Sequence, residues 1–204
     1  VSQIDWQVGL LLDRLEARGL ADNTIVVFLS DHGEFLGDHG IPAKAPFLLD
    51  CELHVPCLLR IPGQESGDRR ALVESIDLFP TLTALSGIDT PVCVQGRDLA
   101  PVLAGEETFR DLVFAEAVDK RCIRTNDWKY VHYPTKSYGE LYDLEADPHE
   151  LKNLYKERPE VVKDMRERYY ACVDATEDFR NPGYQTFAGK NPDTGEEITH
   201  YLTW

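Results

Sequence analysis

The sequence predicts an α/β chain: a mainly parallel sheet with flanking helices, followed by a small antiparallel-sheet α+β subdomain. Three observations carry this prediction. Ile25 to Leu29 form an unbroken apolar run rich in β-branched and aromatic residues, the pattern of a strand buried on both faces in a parallel sheet. Ahead of it, Ile4, Val8, Leu11, Leu12 and Leu15 recur at helical spacing, so helix and strand read as the last half of a βαβ unit. Beyond Leu112 the pattern changes to four short segments separated by turn residues, which suggests an antiparallel sheet.

In the first helix Ser2 is placed to cap the start, and Gly19 can end it in a left-handed conformation. Leu20 to Asn23 lead into the strand, which stops at Ser30 and is followed at once by Asp31, His32 and Gly33. The carboxyl end of a strand in an open α/β sheet is where ligands bind. Gly33 permits the turn that would let the adjacent Asp31 and His32 serve one site. A carboxylate oxygen and an imidazole nitrogen suit a divalent cation. Two donors do not complete such a site, and the same pair also reads as a cap or turn in which Asp31 bonds its own backbone.

A second Asp-His pair, Asp38-His39, sits in a loop with Pro42 and Pro46. Residues 53–61 read as a strand ended by Pro62-Gly63. Ser75 is placed to cap a helix from Asp77 to Leu85, with Leu78, Leu82 and Leu85 on its buried side and Gly87 closing it. After the polar turn near Thr108 come the segments LVFAEAV, KRCIRT, WKYVHY and ELYDL. Asp147-Pro148 then turns the chain, and Pro159 opens a helix through about Cys172 whose Val161, Val162, Met165 and Tyr169 cover the sheet. The expected division is therefore 1–108, 109–180 and a tail at 181–204, whose scattered aromatic residues suggest docking on the body or on a partner, with disorder the alternative.

Composition narrows the function. Hydrophobic content of 43% and charged content of 28% are those of a globular chain, but 21 basic against 36 acidic residues give a net charge of −15. That balance speaks against nucleic-acid binding through a general basic surface, and no apolar run approaches a membrane span. The N-terminal residues VSQIDWQ carry no signal-peptide pattern. The five cysteines, Cys51, Cys57, Cys93, Cys122 and Cys172, show no CxxC spacing and read as free thiols. Free thiols favour a cytoplasmic location over a periplasmic or secreted one.

The wording SDHGEFLGDHG, then a lysine, then HVPCLLRIPG resembles the sulfatase family of the alkaline phosphatase superfamily. Residues 4–36, 76–88, 96–105 and 128–154 resemble further family segments in the family's order, so the likeness spans roughly residues 1–155. It implies that this is the C-terminal portion of a sulfatase, with Asp31 and His32 as metal ligands and Lys44 contacting the sulfate as a catalytic group. The family's metal is commonly Ca2+; Asn usually stands where this chain has His32, and imidazole moves the preference toward Mn2+ or Zn2+. Ala43 replaces the usual Gly before the lysine, and His54 stands where Arg is common. His39 and His54 are candidate substrate-facing groups, though each reads more readily as structural.

The family's nucleophile is a formylglycine made from a C-x-P-x-R or S-x-P-x-R segment. Cys93 begins CVQGR and Cys57 begins CLLRI, both without the proline, and no serine fits. The expectation is that the nucleophile and the remaining acidic metal ligands belong to an N-terminal part, present as a separate chain or upstream segment. This chain alone is then inactive, and the substrate is a small sulfate ester. Two alternatives stay open: a phosphonate or phosphate diester hydrolase of the same superfamily, and a truncated, non-catalytic binding or assembly module.

Overall fold

The computed structural model describes residues 1–91, 94–176, 187–190 and 197–200. The chain forms two compact units, Val1–Asp68 and Arg69–Trp204. The change from helices to strands expected near Thr108 falls inside the second unit, while the division by compactness falls at Asp68.

The first unit contains helix α1 (Ser2–Ala17), strand β1 (Val26–Leu29), the one-turn helix α2 (Asp50–Leu53) and strand β2 (Cys57–Arg60). Helix α1 lies where its spacing predicts, and Gly19 beyond it takes the left-handed conformation at φ 66°. Ser2 is the first helical residue and not the cap; Val1 holds that position without a side-chain bond. No residue of α1 is buried, with Ile4 and Leu11 exposed and Val8, Leu12 and Leu15 half-buried. β1 pairs antiparallel with β2, from Val26↔Arg60 to Leu29↔Cys57, because the chain returns through residues 30–56 and runs back beside it. The burial on both faces expected of this strand is not reached: Phe28, Leu29 and Leu58 remain exposed, as befits a two-stranded ribbon. All strand pairs among the described residues are antiparallel. The strand expected over 53–61 is shorter. Leu53 belongs to α2, and Pro56, which bars the helical region to Val55 before it, sets the start of β2 at Cys57.

In the second unit a tight turn at Ser75–Asp77 leads into α3 (Leu78–Leu85). The cap here is Glu74 and Asp77 acting reciprocally, Asp77 Oδ2 accepting the Glu74 N–H at 2.8 Å, and Ser75 is not the capping group. The buried face of α3 is Leu78, Pro80 and Thr81, while Leu85 is exposed. Thr81 is held there because its hydroxyl donates to Asp77 O at 2.6 Å and accepts the Leu99 N–H at 2.9 Å. The short helix α4 (Ala100–Leu103) follows.

The four short segments form one antiparallel meander, β3 (Val113–Ala117), β4 (Lys120–Arg124), β5 (Trp128–His132) and β6 (Gly139–Asp143), neighbours in space as in sequence. Helix α5 (Pro159–Thr176) lays Val162, Met165 and Tyr169 on Ile123, Tyr130 and Leu141 to make the core, with Val161 half-buried beside it. In the meander Lys129 is fully buried and its ammonium lies 2.6 Å from Glu150. Arg110 pairs with Glu74 and, at 2.6 Å, with Asp77, tying the α3 cap to the stretch before β3.

Within the tail, β7 (Phe187–Lys190) and β8 (Glu197–His200) pair antiparallel, and the remaining residues of 181–204 lie outside the described residues, as does Cys93. Cys57 and Cys172 are free thiols, and Cys51 and Cys122 form no disulfide among the described residues. Among the described residues no helix is long and apolar enough to cross a membrane.

Candidate functional site

The end of β1 delivers Asp31 and His32 into a turn whose path is fixed by backbone bonds to α2. Gly33 N–H donates to Glu52 O at 2.7 Å, and Glu34 N–H to Cys51 O at 3.2 Å. A Cβ on Gly33 would lie 1.9 Å from Cys51 O, so glycine is required for close approach of two backbones and not for a left-handed turn.

His32 has contacts at both ring nitrogens. Nδ1 lies 2.7 Å from Gly33 O; a carbonyl only accepts, so Nδ1 carries the hydrogen. Nε2 lies 3.3 Å from the Lys44 ammonium. The Asp31 carboxylate lies 3.6 Å from the same Nε2. Asp31 is held below the ordinary carboxylate range, first by the His32 N–H bonded to Oδ1 at 3.0 Å, then by the neighbouring imidazole, with Lys44 adding to it. Three of the residues singled out from sequence, Asp31, His32 and Lys44, therefore meet at one place.

This arrangement fits two of the ligands of a divalent cation. Asp31 Oδ2 and His32 Nε2 lie 3.6 Å apart, and the Lys44 ammonium lies 3.3 Å from Nε2. A ligating imidazole whose other nitrogen is tied to a backbone carbonyl is the usual arrangement. Asp31 is exposed and anionic, with oxygen free to coordinate. Among the described residues no group of three or more His, Cys, Asp or Glu gathers to hold a metal ion, so this donor set is partial.

His39 is exposed in a left-handed conformation at φ 53°, its ring edge-on to Phe35 with centroids 6.1 Å apart. His54 is exposed at the end of α2, its backbone N–H bonded to Asp50 O. The contacts found at these two histidines do not join them to Asp31, His32 or Lys44. A residue that sequence reading missed does join the group: Glu52, buried in α2, accepts the Ala45 N–H at 2.9 Å through Oε1 and places Oε2 3.8 Å from His32 Nδ1. Its only sequence signal is a carboxylate shortly before an apolar strand, which has no distinctive spacing.

Residues 37–174 match the family model described as N-sulphoglucosamine sulphohydrolase, C-terminal. The chain is 34% identical over 197 residues to an N-acetylglucosamine-6-O-sulfatase of Bacteroides thetaiotaomicron, an alignment covering 89% of this chain and 35% of that protein. It thus spans about a third of the length of that relative. A solved structure of an enzyme in complex with its substrate D-glucosamine-2-N,6-O-disulfate superposes with a TM-score of 0.76 at 28% identity, covering 89% of this chain and 40% of that one. A phosphonate monoester hydrolase from Silicibacter pomeroyi shares the fold, with a TM-score of 0.77 at 24% identity over 97% of this chain and 43% of that one.

Proposed function

The chain belongs to the sulfatase family, and from that premise we propose that the protein carrying it hydrolyses the sulfate ester of a small sulfated sugar. The observation that supports this most is the meeting of Asp31, His32 and Lys44 at the carboxyl end of β1. Amino-sugar sulfates are named for the relatives, and a small ester suits a chain of net charge −15 better than a long polyanion does.

Each residue has a part in this reading. Asp31 and His32 would hold a divalent cation, Ca2+ or, given the imidazole, Mn2+ or Zn2+, which supplies positive charge to polarise the sulfate oxygens. Lys44 donates to a sulfate oxygen and offsets the charge that develops on the group in transfer. Gly33 and α2 keep the turn rigid, so that these groups do not reorganise during reaction. The formylglycine nucleophile is to be supplied from outside these 204 residues.

Hydrolysis of a phosphonate or phosphate diester is the second reading, since both groups are tetrahedral oxyanions that the same cation and ammonium would hold. One assay separates them: the natural protein carrying this chain, offered an aryl sulfate, 6-sulfated N-acetylglucosamine, a phosphonate monoester and a phosphate diester. We expect sulfate turnover, reduced about 100-fold or more in Lys44→Ala with folding retained. Preference for the phosphorus esters would move the assignment to the second reading. Turnover of none would point to a non-catalytic module.

A further inference from the structure

We propose that Glu52 is a positioning residue of this site, holding the turn that carries Asp31 and His32 in register with the loop that carries Lys44. The inference rests on the functional reading above and adds a residue that reading does not use. Glu52 is 6% exposed. Its carboxylate touches both halves of the site: Oε1 takes the N–H of Ala45, the residue after Lys44, and Oε2 faces the protonated nitrogen of His32 at 3.8 Å. Its own backbone carbonyl takes the Gly33 N–H at 2.7 Å, so the main chain of the same residue anchors the turn that its side chain faces.

Burying a carboxylate is costly unless its charge is used. Here the negative charge lies behind the His32 imidazole, whose other nitrogen faces Asp31 and Lys44. A carboxylate in that place attracts, by its charge, a cation held on the far side of the ring. A glutamine would keep an acceptor for Ala45 and lose the charge; an alanine would lose both.

The test uses the natural protein carrying this chain with nitrogen-15 labelling, its Glu52→Ala and Glu52→Gln variants, and Mn2+ alone as the probe. Two readouts are followed: hydrogen exchange at the Ala45 amide, and paramagnetic broadening of the Asp31, His32 and Gly33 signals as Mn2+ is added. The β5 amides report folding elsewhere. In Glu52→Ala we expect Ala45 to exchange about tenfold faster or more, Mn2+ to bind at least about tenfold more weakly, and β5 to be unchanged. In Glu52→Gln, Ala45 should return to the wild-type rate while Mn2+ binding stays weakened. Wild-type exchange and Mn2+ affinity in the alanine variant would overturn the proposal. Should that variant lose β1–β2, the glutamine variant decides, and wild-type Mn2+ affinity there would overturn it. Absence of broadening in the wild type would instead refute the metal reading of the site, and Ala45 exchange would still decide whether Glu52 positions the loop.

Discussion

At Gly33 a hydrogen stands where any other residue would put a carbon 1.9 Å from Cys51 O. Gly33→Ala must therefore push two backbones apart, and we expect a loss of about 1–3 kcal/mol with faster exchange at Glu34, read by denaturant titration and amide exchange. Asp31→Ala in the natural protein is expected to abolish binding of the cation, and stoichiometric metal retained after dialysis would remove Asp31 from the ligand set. Asp31, His32 and Lys44 could be named beforehand because they sit beside a strand end and in recurring wording. Glu52 could not, because what makes it notable is a pair of distances across the 30–56 loop, and a single carboxylate in a helical turn has no sequence pattern. Lys129 teaches the same lesson. It alternates like a surface lysine in WKYVHY yet is fully buried against Glu150 at 2.6 Å. Replacing Lys129 by Met removes the ammonium from the buried Glu150 carboxylate and is expected to cost about 3–5 kcal/mol, measurable as a fall in the denaturation midpoint.

Among the elements, the meander and α5 are the best specified by sequence. Their boundaries follow alternation and turn residues, and Val162, Met165 and Tyr169 reach the core that their spacing implies. Met165→Ala should cost about 2–5 kcal/mol, since the residue is enclosed by both layers. What spacing does not convey is the setting of His132 at the end of β5. Its ring lies 4.6 Å from that of Tyr169 and 5.8 Å from that of Tyr170, its Nδ1 is 3.1 Å from the Tyr130 hydroxyl, and Arg121 is its cross-strand partner. Burial, then the charges of Arg166 and Arg121, push its pKa below the ordinary 6.5. A lowered imidazole pKa means the folded state resists protonation. Its contribution is therefore present above 6.5 and is lost as pH falls from there through the folded-state value. A melting-temperature profile should show this acid-side loss, and His132→Asn should flatten it. The short helices are less legible: Leu53, the last residue of α2, reads as strand because it continues an apolar run, and the cap ahead of α3 reads as Ser75 because serine is the commoner capping residue.

The molecule as a whole is uneven. The second unit has a closed core of fully buried side chains between α5 and the meander, whereas α1 buries none and β1 and β2 leave Phe28 and Leu58 exposed. At equilibrium we expect β1–β2 amides of the 204-residue chain to exchange well before those of β4 and β5; equal protection would contradict this. The sequence foresaw both the helix and the strand of the first unit but not their exposure, because an apolar stripe predicts a buried face without saying whether a covering layer is at hand. Connectivity adds a consequence in time. Each strand of the meander pairs with the next one along the chain, so its closures are short. β1 reaches β2 only after the chain has looped through residues 30–56, the stretch that bears every group of the candidate site. Short closures form sooner than long ones. The meander is then the early scaffold of folding, and the site is the part of the protein assembled late.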